Sequence, residues 1–192
     1  MRKAAIEVIS EVGFFAANTD KIAQEAGVSV GTIYNYFANK DDILAYIFEV
    51  EHRRARQFFQ DLAQKQVGAK ERVLKFCQWY FDSVYKNKKL CKILHNESNR
   101  PANGLSSEII DYLSLINDFL QNLLEGGIVE GSVREDIDTE MMAAVVIGAV
   151  NSIALRGYLQ PDRLYNLCQK APGELEKIFL AGIFTTSGRK RG

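Results

Sequence analysis

The sequence predicts an all-α fold of about nine helices: an N-terminal three-helix head of helix-turn-helix form, followed by a larger C-terminal helical domain. Three observations carry this expectation. Only three prolines, Pro101, Pro161 and Pro172, interrupt 192 residues, so long stretches lack helix breakers. Apolar residues recur at helical spacing along most of the chain. No alternating run of β-branched residues lies between hairpin turns.

Arg2 to Val12 forms the first predicted helix, with Ala5, Ile6, Ile9 and Val12 as its core face. Gly13 ends it, and Phe14 is expected to be buried beneath the head. Asn18 or Thr19 can cap a second helix by accepting a backbone N–H bond. Ile22, Ala23 and Ala26 give that helix one apolar face. Gly27 stands where a helix end tolerates positive φ, and Val28 plugs the turn. Ser29 caps a third helix, from about Val30 to Phe37. Asn39 caps the fourth, where Asp41 and Asp42 complement the dipole.

On the third helix, Val30, Ile33 and Phe37 cluster on one side at 100° per residue. Gly31, Thr32, Asn35 and Tyr36 point the other way, with Tyr34 at the flank. This outward face is short, uncharged and rich in hydrogen-bonding groups. A helix-turn-helix presents such a face to the DNA major groove, leading with its N-terminal residues. Hydroxyls of Thr32, Tyr34 and Tyr36 can reach phosphates, and Lys40 adds a cation at the start of the fourth helix. The candidate DNA-contacting set is Thr19, Ser29, Val30, Gly31, Thr32, Tyr34, Asn35, Tyr36 and Lys40. A helical hairpin with surface tyrosines is the plainer alternative.

The whole string is more specific. I-x-x-x-A, then G-V-S-V-G-T-I-Y-N-Y-F-x-N-K-D-D-I-L some 25 residues from the start, resembles the TetR family of bacterial transcriptional regulators. The match covers roughly residues 4 to 47. G-x-V-R-E-D-I-D, at Gly131 to Asp138, is also typical of that family. The resemblance implies a dimeric, all-helical repressor whose operator binding is switched by a small molecule. It divides the chain into a DNA-binding domain, 1–47, and an effector-binding and dimerisation domain, 48–192.

Beyond the head, the fourth helix keeps its apolar spacing to about Gln64 and so runs from one domain into the next. Lys70 to Tyr85 forms a fifth helix. Leu90, Ile93 and Leu94 mark a short sixth, ending near Asn96. After a loop with Pro101 and Gly104, a seventh runs from Ser106 or Ser107 to about Glu125, and Gly126, Gly127 and Gly131 mark a connection. Thr139 to about Tyr158 is an eighth helix, apolar nearly all round. A short helix over 160–170 and a last one from Pro172-Gly173 to Phe184 complete the chain, before a basic tail at 187–192. Helices at about 139–158 and 173–186 are the expected homodimer interface, as a four-helix bundle across a two-fold axis.

Charge qualifies the DNA-binding expectation. Residues 1–48 carry four bases against six acids, a net charge of −2. Nucleic-acid binders usually show a basic footprint, so modest non-specific binding is expected here. Cys77, Cys91 and Cys168 have no motif spacing and read as the reduced thiols of a cytoplasmic protein. The longest apolar run, Met141 to Val150, falls short of the ~20 residues of a bilayer span, so no membrane partner is expected.

An effector cavity among helices five to eight would be lined by residues that interrupt an aliphatic core: Trp79, Tyr80, His95, Tyr112, Phe119 and Asn151. These favour an apolar or aromatic effector. An enzyme is disfavoured, because His52 and His95 are the only histidines and no metal motif, cofactor motif or nucleophile elbow is present. The competing non-enzymatic reading is an oligomeric small-molecule-binding module without DNA binding.

Overall fold

The computed structural model describes residues 1–101 and 104–183. Among them are nine α-helices and no strand: α1 (Arg2–Val12), α2 (Thr19–Ala26), α3 (Val30–Tyr34), α4 (Lys40–Ala63), α5 (Ala69–Lys86), α6 (Lys88–Ser98), α7 (Ser107–Val129), α8 (Thr139–Leu159) and α9 (Leu164–Gly182). A single 3-10 turn, Pro161–Arg163, precedes α9. The predicted tail and the end of the 173–186 segment lie outside the described residues.

The helices assort into two compact units. The first holds residues 1–56 and 87–114; the second holds 57–86 and the chain from 115. Packing therefore does not divide the chain at residue 47. The reason is α6, which packs on α1 and so belongs with the head. Both α4 and α7 contribute residues to each unit.

In the first unit, Ala5, Ile9, Phe14, Ile22, Ile33, Ile47, Phe48, Ile93 and Ile109 form one buried cluster. Val12, expected inward, is instead exposed as the last residue of α1. Short side-chain caps set the helix starts. The Asn18 side chain accepts from the Lys21 N–H at 2.8 Å, and Ser29 Oγ accepts from the Thr32 N–H at 3.1 Å. Gly27 closes α2 at φ 65°, where a side chain would be strained. The third helix stops at Tyr34, three residues early, and Asn35-Tyr36 turn the chain towards α4.

The second unit departs further from expectation. The α7 helix continues through Gly126 and Gly127 to Val129. A Cβ on Gly127 would lie 2.4 Å from Val133 Cγ2 and 2.7 Å from Ala69 Cβ. Glycine here permits close packing rather than a turn. Likewise α9 runs unbroken through Pro172, which forfeits one i→i−4 hydrogen bond. Burial of Cys168, Ala171, Leu175 and Phe179 against neighbours, chiefly α5 and α8, offsets that loss. Arg134 ties down the end of α9: its backbone N–H donates to the Ile183 carbonyl at 3.1 Å, and its guanidinium pairs with Asp136 at 2.7 Å.

One face of α8 is buried, through Ala143, Val146, Val150 and Ala154. The other carries Met141, Val145, Gly148, Ser152, Leu155 and Leu159, all exposed and spaced as one helical stripe. The helix is long and apolar enough to cross a membrane by length and composition alone, contrary to the reading from the Met141–Val150 run. Ser152 and Asn151 interrupt the run but not the helix. The core helix of a soluble protein meets the same criterion.

Two neighbouring glycines make the packing testable. Gly127→Ala should cost about 1–3 kcal/mol through overpacking. Gly126→Ala, with open space around its Cβ position, should gain about 0.5–1 kcal/mol from helix propensity. Guanidinium unfolding midpoints of the two variants should move in opposite directions.

Candidate nucleic-acid interface and effector cluster

The exposed surface of α3 is built by its own cap. Ser29 Oγ, besides capping, lies 2.8 Å from Thr32 Oγ1, so the two hydroxyls share one hydrogen bond. Gly31 is exposed, and a Cβ there would meet only Ser29 Oγ, at 3.7 Å. Nothing within the chain requires glycine at this point; the bare backbone faces outward. Tyr34 is half exposed and its hydroxyl lies 3.2 Å from Thr19 Oγ1, joining the start of α2 to the end of α3. Asn35 and Tyr36 are exposed in the turn that follows. The nine candidates thus fall largely on one patch, with two exceptions. Val30 is half-buried and packs against the head core.

Lys40 is the second exception. Its ammonium donates to the carbonyls of Phe14 at 2.7 Å, Phe15 at 3.1 Å and Ala17 at 2.9 Å. An ammonium has three N–H donors, and all three are used. The same Nζ stands 4.5 Å from the centroid of the Phe14 ring. Lys40 therefore satisfies the backbone of the α1–α2 connection, leaving no N–H for a phosphate. The predicted cap at Asn39 is present, accepting from the Asp42 N–H at 3.0 Å, while Asp42 accepts from the Ala38 N–H at 2.8 Å.

The six effector candidates separate. Trp79, Tyr80, Phe119 and Asn151 belong to the second unit; His95 and Tyr112 belong to the first. Tyr112 packs edge-on to Phe48, with centroids 5.6 Å apart. His95 is half-buried, and burial lowers its pKa from the ordinary histidine value. In the second unit, Trp79 stacks on Phe58 at 4.7 Å and Phe119 stacks on Phe59 at 4.0 Å, with Phe76 tilted between them. The Tyr80 hydroxyl donates to Asn151 Oδ1 at 2.6 Å, joining α5 to α8. Sequence reasoning missed Phe58, Phe59 and Phe76 as members of this cluster; the adjacent aromatic pair Phe58-Phe59 was the available signal.

The lysines at the end of α5 and along α6 are largely committed: Lys86 to Asp82, Lys89 to Glu7, and Lys92 to the Ser10 carbonyl. An open hollow of about 390 Å³ lies on the outer face of α8, lined by Ser152, Leu155, Arg156, Leu159 and Gln160. Burial pushes the thiols of Cys77 up to about 12 and Cys168 up to about 11, so neither is a reactive thiolate near neutral pH.

Lys40→Met tests the assignment of that side chain. It should destabilise the head by about 1.5–3 kcal/mol, the range for hydrogen bonds to a charged group. Thermal unfolding of the full chain checks it. Unaltered stability would show that the carbonyls find other partners.

Comparison with known proteins agrees with this geometry. Residues 2–47 match the model of the bacterial regulatory proteins of the tetR family. The fatty acid metabolism regulator protein of Bacillus subtilis (strain 168) is 27% identical over 180 residues, covering 94% of this chain and 92% of that protein. Over 41 residues, 21% of this chain and 18% of the other protein, identity to the HTH-type transcriptional regulator HbdR of Aromatoleum sp. (strain CIB) is 51%. Among solved structures, the transcriptional regulator FadR from Bacillus subtilis in complex with stearoyl-CoA superposes with a TM-score of 0.84 at 27% identity, over 95% of this chain and 97% of that one. The chain is a ligand-responsive DNA-binding regulator, similar to those of the TetR family, whose model its residues 2–47 match.

Proposed function

We propose that the chain is a cytoplasmic homodimeric repressor, held on a palindromic operator and released by a long-chain acyl-CoA. One observation carries the choice of effector: the end-to-end likeness to a regulator solved with stearoyl-CoA. The interior of the second unit supports it. An acyl chain needs apolar walls, and Phe58, Phe59, Phe76, Trp79 and Phe119 supply them beside one polar pair, Tyr80–Asn151. This narrows the effector expected from sequence from apolar or aromatic to aliphatic.

The exposed stripe of α8, with Ile178 of α9 also exposed, supports pairing of two copies. Two heads would then meet successive major grooves, roughly 34 Å apart. The residues proposed to face DNA are Thr19, Ser29, Gly31, Thr32, Tyr34, Asn35 and Tyr36. Effector binding changes operator affinity only through its different affinity for the DNA-competent and incompetent states. The α4 helix, which has residues in both units, is the proposed carrier of that difference. No step in this cycle requires catalysis.

Selection from a random double-stranded DNA pool should recover a two-half-site palindrome. Arg2 pairs with Glu51 and Lys40 with carbonyls, so Lys3 and Lys21 are the remaining cations of the head. A dimer then offers four, and log K against log salt should slope at about −4 or shallower. Tyr34→Phe should cost about 1–3 kcal/mol of operator affinity if its hydroxyl makes a good contact. Failure to enrich any palindrome would overturn the DNA-binding face proposed here.

Trp79 is the sole tryptophan, so its emission reports on the aromatic cluster. Stearoyl-CoA should change that emission and release the recovered operator, whereas CoA alone should do neither. Unchanged emission with the operator still bound would eliminate the acyl-CoA effector and leave operator recognition standing.

A further inference from the structure

The α6 helix holds the head at two places. Near its start, Lys89 pairs with Glu7 of α1, and Lys92 donates to the Ser10 carbonyl at 3.1 Å. At its end, Arg100 follows the helix and reaches the α1–α2 connection. Its guanidinium carbon lies 4.3 Å from the Phe15 centroid and 5.1 Å from that of Phe14. Its Nη1 stands 2.9 Å from Glu97 Oε2, near enough for an ion pair, although no N–H is aimed at that oxygen.

Glu97 is one of two buried polar or charged residues among those described. Burial raises its carboxyl above the ordinary range, against the lowering effect of Arg100 and Lys40. Such a carboxylate is retained at a cost unless a cation balances it. Phe15 adds a second oddity, being 80% exposed yet covered on one face by a guanidinium. Phe14 is buried and takes Lys40 on its ring as well as Arg100. Two cations, two rings and one buried carboxylate thus converge on residues 13–18, the segment that sets where α2 begins.

We propose that Arg100, oriented by Glu97, is a positioning residue for operator binding: it clamps Phe14 and Phe15 and so fixes the α1–α2 connection, coupling the end of α6 to the placement of the helix-turn-helix. The planar guanidinium suits this role because it can stack on a ring while facing a carboxylate. Movement of α6 would then load the connection at one end and α1 at the other. The inference rests on the head being the DNA-binding element, but not on the identity of the effector.

Full-length Arg100→Ala, Arg100→Lys and Phe15→Ala test it, with two readouts. Deuterium uptake of residues 13–19 needs no operator and should rise in Arg100→Ala and Phe15→Ala, with Arg100→Lys intermediate. Affinity for the selected operator should fall in the same order, by about threefold to thirtyfold for the alanine variants, the range for residues that transmit coupling. Phe15 is largely exposed, so Phe15→Ala keeps the test open should Arg100→Ala fail to fold. Unchanged uptake overturns the clamp. Raised uptake with unchanged operator affinity overturns its role in DNA binding. An affinity loss that Arg100→Lys and Arg100→Ala share equally, in step with melting temperature, assigns Arg100 to stability alone and also overturns the proposal. If no operator is recovered, the reading of the head has failed, and the uptake result still decides the clamp.

Discussion

Three carbonyls that no helix can satisfy decide how the head is built. Phe14, Phe15 and Ala17 lie in the short connection between α1 and α2, where the chain leaves α1 at Gly13 with φ 80°. Orphaned backbone acceptors in a small core are costly, because water is displaced and no ladder replaces it. One ammonium, at the first residue of α4, satisfies all three. The remaining geometry follows. Fixing the connection fixes the entry of α2, the Gly27 turn then aims α3, and the Ser29 cap presents Thr32 and the bare backbone of Gly31 outward.

The second unit relies on close approach and on aromatic area rather than on polar knots. Gly127 lets α7 meet Val133 and Ala69, and Gly157 lets α8 meet Leu164, where a Cβ would come within 2.4 Å of Leu164 Cδ1. The same unit holds two parallel ring stacks. Stacked rings bury much area but can part and re-form without breaking hydrogen bonds. The Tyr80–Asn151 bond is a polar contact beside these rings, and it joins α5 to α8.

The head was legible in the sequence because its signals are local. Asn18, Gly27, Ser29 and Asn39 act on backbone groups within a few residues, so their chemistry can be read without knowing the fold. What failed depended on distant partners. Gly126, Gly127 and Pro172 look like breaks, yet packing carries α7 and α9 through them. Lys40 reads as a free cation until the carbonyls 23 to 26 residues earlier are placed beside it. His95 and Tyr112 share the composition of pocket residues, but α6 and the start of α7 pack with the head. Arg100, in a segment marked only by its neighbouring proline, left no trace in the pattern at all.

The diversion of Lys40 into the backbone has a consequence at the scale of the chromosome. Bulk DNA acts as a sink for regulators with strongly cationic heads, because each phosphate contact strengthens sequence-independent binding. A head with few uncommitted cations is held weakly by that sink. More of the protein then stays in free solution, where a metabolite meets it without first competing against genomic DNA. The concentration at which such a regulator responds is therefore set mainly by its pocket, and much less by how much DNA the cell contains.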